Sequence, residues 1–212
     1  MLALTFSTGV VDAVGYLGLD RVFTGNMTGN VVILGMALAG AEELSVLGPL
    51  LALGGFIIGA ALAGWTLRGR SPGWSWRTTG LLTLTAGLLL ACGAALLGAT
   101  DPAKSIQVTI STVLGAAMGV QAATARHIAV KEVTTVVVTS TITAWAAGLA
   151  LPPAAHADQG LGIRRVTAVV LILGGAAVGA ALLRWNASAG LLVAGLIVAA
   201  VAALGGRRPR VR

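Results

Sequence analysis

One carboxylate stands alone inside an apolar run. Asp12 interrupts the stretch Leu2 to Leu19. An ionised carboxylate at the centre of a bilayer costs about 3 kcal/mol on insertion scales, so such a residue is kept when it is paired, protonated or facing water. Further along, Phe23-Thr24-Gly25-Asn26-Met27-Thr28-Gly29-Asn30 alternates polar and nonpolar residues with a period of two. On a helix that spacing puts polar groups on more than one side, which a lipid-facing surface does not accommodate. Two glycines and several side chains able to cap a helix end predict a local break, and broken backbone at membrane depth is tolerated where it lines a cavity.

The second half of the chain carries its own polar groups. Arg126, His127, Lys131 and Glu132 form a charged cluster in a chain poor in charge, followed by the hydroxyls of Thr134, Thr135, Thr139, Ser140, Thr141 and Thr143. A central ion pair between Asp12 and Arg126, with Gln121 nearby, is the expectation, while Lys131 and Glu132 read as a solvated loop at the membrane surface. The later hydroxyls read as bonds to carbonyls one turn earlier or as glue between helices. The residues expected along a substrate pathway are Asp12, Thr24, Asn26, Thr28, Asn30, Gln121, Arg126, Thr139 and Thr141. No nucleophile with its base and no phosphate loop is visible, so no catalytic residue and no enzyme activity are expected. Cys92 is the single cysteine, and His127 and His156 are far apart with no cysteine near them. Neither a disulfide, a metal site nor a cofactor is therefore expected.

The elements that must position these groups follow from composition. Of the 212 residues 57% are hydrophobic and 10% charged, outside the range of water-soluble domains. Eight apolar segments can be marked: Leu2 to Leu19, Val22 to Ala41, Val46 to Leu67, Thr79 to Ala99, Ala103 to Ala125, Val133 to Leu151, Val166 to Leu183 and Ser188 to Leu204. A bilayer core about 30 Å thick needs roughly 20 such residues per helical crossing, so the expected fold is an all-α polytopic membrane protein. Most of the basic excess, 14 Lys and Arg against 7 Asp and Glu, lies between or after the apolar segments. It reads as a topology signal rather than as a nucleic-acid surface. Leu2 to Leu19 lacks a charged leading region, so a cleavable signal peptide is not expected.

The chain also contains a repeat. Leu53 to Trp65 recurs as Leu173 to Trp185 with eight of thirteen positions identical, and Gly9 to Asn30 corresponds more weakly to Gly119 to Thr141. Two related halves, 1–100 and 101–212, are expected to form one transmembrane domain. Within the repeat Gly55 and Gly59, and likewise Gly175 and Gly179, stand four residues apart and predict close helix packing. Eight full crossings would divide the basic residues seven against seven. If the first two segments of each half make one net crossing, with Arg21, Arg126 and Lys131 held inside that bent unit, the division becomes nine against two. Six net crossings, cytoplasmic termini and halves of opposite orientation follow, and such inverted repeats are common in transporters. Trp65, Trp74, Trp76 and Trp185 fall at segment ends like interfacial anchors, whereas Trp145 lies within a segment.

Asp12, the string Phe23 to Asn30 and Val137-Val138-Thr139-Ser140-Thr141-Ile142-Thr143 resemble the YoaK family, bacterial inner-membrane proteins of unknown function and similar length. The resemblance covers nearly the whole chain and implies a bacterial plasma-membrane location; it supplies no activity or substrate. The functional expectation is therefore built on the residues: a small secondary transporter or permease with a central polar site. The alternative is a non-transporting assembly or sensor protein. Expected partners are the lipid bilayer and a small-molecule or ion substrate; association with further copies of the chain is compatible with this reading, and nucleic acid is not expected.

Overall fold

The computed structural model describes residues 1–41, 44–99, 102–128, 139, 142–143, 146 and 159–207. Among these, all the regular elements are helices: α1 (Leu2–Gly18), α2 (Met27–Leu38), α3 (Leu47–Leu67), α4 (Trp76–Ala95), α5 (Lys104–His127), α6 (Gln159–Leu183) and α7 (Ala187–Gly206). The expected segment Val133 to Leu151, with Thr141 and Trp145, falls outside the described residues except for 139, 142, 143 and 146. The chain is a polytopic helical membrane protein. α3, α4, α5, α7 and the Val166–Leu183 part of α6 are each long and apolar enough to cross a bilayer. The 17 residues of α1 reach ~25 Å at about 1.5 Å per residue, whereas the 12 residues of α2 reach only ~18 Å.

Local chemistry sets the helix ends. Ser75 and Thr78 form a reciprocal capping box at the start of α4, with bonds of 3.3 and 2.8 Å. Asn186 accepts from the Ser188 amide at 2.9 Å and so starts α7 after the short turn that follows α6. The apolar stretch Val22 to Ala41 does not form one helix. Residues 19–26 are non-helical, and Arg21 takes a left-handed φ of 51° that turns the chain back after α1.

Small residues bring the helix backbones together. A Cβ at Gly55 would lie 2.5 Å from the Thr112 carbonyl oxygen, and one at Gly59 or Gly119 would strike the carbonyls of Ala116 or Phe56, so α3 and α5 cross at backbone contact. α1 and α6 meet in the same way, with Gly175 against Phe6, Gly179 against Val10 and Gly9 against Ile172. In both pairs the contacts advance together along the two helices, which therefore run parallel. α4 and α7 run antiparallel, since Gly93 meets Leu192 and Gly195 meets Leu90, while Gly206 lies beside Thr79. Between these pairs sits a core of fully buried Val10 and Val14 from α1, Leu82 and Leu89 from α4, Leu114 from α5, and Leu191 and Val198 from α7.

The two ends of the bundle differ. At one end Asp20 lies beside Gly48 at the start of α3, and its Oδ1 is 3.6 Å from Lys104 Nζ at the start of α5. At the other end the Gly73 amide donates to the His127 carbonyl at 3.3 Å, the Trp74 indole donates to Thr79 Oγ1 at 2.9 Å, and its ring packs on Gly205. Trp65, Trp76 and Trp185 are exposed at helix ends, where an indole suits the lipid–water boundary. The basic residues depart from the expected placement. Arg21 and Arg126 are both exposed rather than enclosed by a bent unit, because Arg21 occupies the turn after α1 and Arg126 the last turn of α5.

Candidate functional site

The non-helical segment after α1 folds back along that helix. The Val22 carbonyl lies where a side chain at Gly15 would stand, and Gly25 lies against the Thr8 methyl, so the chain runs from the last turn of α1 toward its middle. There it meets Asp12. The Asp12 Oδ1 accepts from the Thr24 amide at 2.9 Å, the Gly25 amide at 2.7 Å and the Thr24 hydroxyl at 3.2 Å. A break in a membrane helix leaves amides without carbonyl partners, and here one carboxylate oxygen supplies the missing acceptor for two of them.

The rest of the break is satisfied by its own side chains. The Asn30 amide pairs with both backbone groups of Phe23, accepting from its N–H at 2.8 Å and donating to its carbonyl. It thus replaces a neighbouring strand. Asn26 Oδ1 accepts from the Gly29 amide at 3.1 Å and caps α2. Gly29 leaves room for the Phe23 ring, which stacks on Tyr16 at a centroid distance of 4.8 Å.

Beside this break lies a cavity of about 690 Å³. α1 contributes Thr5, Thr8, Asp12 and Tyr16, the break and the start of α2 contribute Asn26 and Thr28, and α5 contributes Met118 and Gln121. Thr139 also lines it, and Phe56, Ile172 and Ala176 make apolar wall. The Thr8 hydroxyl donates to the Leu4 carbonyl at 2.9 Å and lies 3.1 Å from Gln121 Nε2, tying α5 to α1. With the Asp20–Lys104 contact at the far end, this makes α1 and α5 antiparallel.

The structure sorts the sequence-derived residues into groups. Asp12, Asn26, Thr28, Gln121 and Thr139 share the cavity. Thr24 and Asn30 are fully buried and hold the break. Thr141 lies outside the described residues, as do Lys131 and Glu132. Arg126 does not join the site: it is exposed, lines no part of the cavity and makes no ion pair with Asp12. The backbone donors of 24 and 25 occupy one oxygen of that carboxylate, and Arg126 is more than one turn beyond Gln121, toward the surface. Thr5, Thr8 and Tyr16 were not singled out by sequence, although their spacing from Asp12 places them on its helical face. Asp20, which gathers the starts of α3 and α5, was also missed.

A bundle of membrane helices with a folded-back break, closed on an intramembrane carboxylate beside a cavity, defines a polytopic membrane protein with an internal polar site. The family follows from comparison. Residues 1–204 match the model of the DUF1275 family, described as proteins of unknown function, and the chain belongs to that family. It is 33% identical over 142 residues to the UPF0700 transmembrane protein YoaK of Bacillus subtilis (strain 168), a match covering 66% of this chain. The match spans 61% of that relative's length. No solved structure matches.

Proposed function

We propose that this protein is a small secondary transporter or permease of the bacterial plasma membrane, built from two inverted repeats around the cavity at Asp12. The observation that carries the reading is that cavity, where a helix is broken at membrane depth and held by a carboxylate that faces open space. Intramembrane carboxylates and discontinuous helices are both costly, and their common use is to line a substrate or ion path. A non-transporting assembly or sensor role leaves the cavity without a use.

Inversion is supported by how the helices pair. α1 packs on α6 as α5 packs on α3, and exchanging the halves carries one interface onto the other. The contacts of Gly175 with Phe6 and Gly179 with Val10 correspond to those of Gly55 with Thr112 and Gly59 with Ala116. That equivalence sets Gly9 against Gly115, one helical turn from the Gly9–Gly119 pairing favoured by sequence. α1 and α5 run antiparallel, as do α4 and α7, which is what a two-fold axis in the membrane plane requires.

Charge supports an orientation with both chain ends in the cytoplasm. Arg68, Arg70, Arg77, Arg126 and Arg207 belong to the end of the bundle where α3 and α5 finish, with Arg164 and Arg165 on the first turns of α6. Arg21, Lys104 and Arg184 belong to the other. Transport is tested by reconstituting the protein in proteoliposomes, exposing them to a labelled bacterial metabolite extract and comparing retained solutes with those of Asp12→Asn vesicles. Wild-type vesicles are expected to retain at least one solute that the variant does not. Identical contents refute the proposal.

A further inference from the structure

The substrate class follows from which hydrogen-bonding capacities the cavity leaves unused. At Asp12, Oδ1 takes three donors and the Asn26 backbone amide also approaches the carboxylate, while Oδ2 takes no side-chain hydrogen bond among the described residues. At Gln121, Oε1 is buried without a partner. The orientation of that amide is determined by its neighbour: the Thr8 hydroxyl hydrogen goes to the Leu4 carbonyl, so Thr8 Oγ1 can only accept, and the Gln121 nitrogen must face it. That leaves the Gln121 oxygen as the free atom. Thr5 Oγ1, two turns before Asp12 on the same helix face, is also buried and unpartnered. The buried, unused groups are thus an amide oxygen and a hydroxyl beside the Asp12 carboxylate; the Asn26 amide and the Tyr16 and Thr28 hydroxyls also line the cavity, and Asp12 is the sole charged side chain among the described lining residues.

Such a lining asks for a positively charged donor. Most of the remaining wall is apolar, from Leu4, Leu17, Phe56, Met118 and Ile172, and the stacked rings of Tyr16 and Phe23 line the same cavity. An aromatic face near a desolvated cation adds attraction. A bare metal ion would use the oxygens but not about 690 Å³ of mostly apolar space. Resting on the transporter reading of the same cavity, we infer that the ligand is an organic ammonium ion with an apolar body, its N–H donors directed at Asp12 and Gln121.

The test is ligand-induced thermal stabilisation of the full chain in detergent at neutral pH. Its probes are 2-phenylethylammonium and hexylammonium, each beside its neutral alcohol (2-phenylethanol, 1-hexanol) and its carboxylate (phenylacetate, hexanoate). At least one ammonium ion is expected to bind tenfold or more tightly than its alcohol, with its carboxylate weakest. Asp12→Asn, which keeps an oxygen for Thr24 and Gly25, is expected to lose that preference. Gln121→Leu is expected to weaken ammonium binding without changing alcohol binding. Equal binding of ammonium ion and alcohol, a preference for the carboxylate, stabilisation by sodium ion alone, or an unaltered preference in a folded Asp12→Asn protein overturns the inference. Flux assays on the same probes separate the two claims: selective ammonium binding without flux leaves the ligand class standing and removes transport. Flux of anionic solutes without ammonium binding does the reverse.

Discussion

Replacing Asp12 by alanine and by asparagine separates its structural role from any role in the cavity. In the folded chain its Oδ1 receives two backbone amides, at 2.9 and 2.7 Å, and one hydroxyl at 3.2 Å. Alanine leaves the Thr24 and Gly25 amides without an acceptor at membrane depth, at about 1–3 kcal/mol each, while the threonine hydroxyl can rotate to another oxygen. Removing a charge from lipid is favourable by a similar amount, but that gain applies also to an inserted yet unpacked chain and so largely cancels. A net loss of about 2–5 kcal/mol is expected for Asp12→Ala. Asparagine retains the accepting oxygen and loses only the charge assistance, a difference of roughly 1 kcal/mol. Unfolding in mixed micelles of mild and denaturing detergent measures both, and hydrogen exchange of peptides spanning 22–26 reads the two amides directly. Fast exchange there is expected in the alanine variant alone. If Asp12→Ala equals Asp12→Asn in stability and in exchange, the carboxylate does not hold the break.

Three other outcomes test the packing, the break and the orientation. Gly59→Ala drives a methyl into the Ala116 carbonyl and is expected to cost about 1–3 kcal/mol. Gly64→Ala on the same helix meets open space and is expected to be neutral or to gain up to about 1 kcal/mol, which micelle unfolding resolves. Asn30→Asp keeps the acceptor for the Phe23 amide but sets an oxygen against the Phe23 carbonyl, so it is expected to destabilise at least as much as Asn30→Ala, by about 2 kcal/mol or more. With Cys92 replaced by alanine, single cysteines at Arg70 and Arg207 are expected to resist a membrane-impermeant maleimide in intact cells, and one at Arg184 to react. The opposite pattern inverts the proposed orientation.

Much of this architecture was legible because lipid imposes a simple rule on sequence. Length and apolarity alone mark α3, α4, α5, α6 and α7, since each must satisfy its own backbone within the bilayer. The break before Met27 was legible for the same reason: a period-two pattern with two glycines is incompatible with a lipid-facing helix. Asp12 stood out by its cost. The roles within the polar string were not legible, because Thr24 and Asn30 serve the backbone while Asn26 and Thr28 reach the cavity, and that division depends on where a folded-back segment lies.

Sequence by itself thus determined the solvent, the helices, the interruption and the residue at its centre, all properties of local composition and period. Tertiary structure alone decided what Asp12 touches. Opposite charge suggested Arg126, but the turn at Arg21 delivers two amides to the carboxylate from only twelve and thirteen residues away, and the course of α5 carries Arg126 to the surface. Which groups meet is a question of chain reversal and helix crossing, and neither is written in the hydropathy of the segments involved.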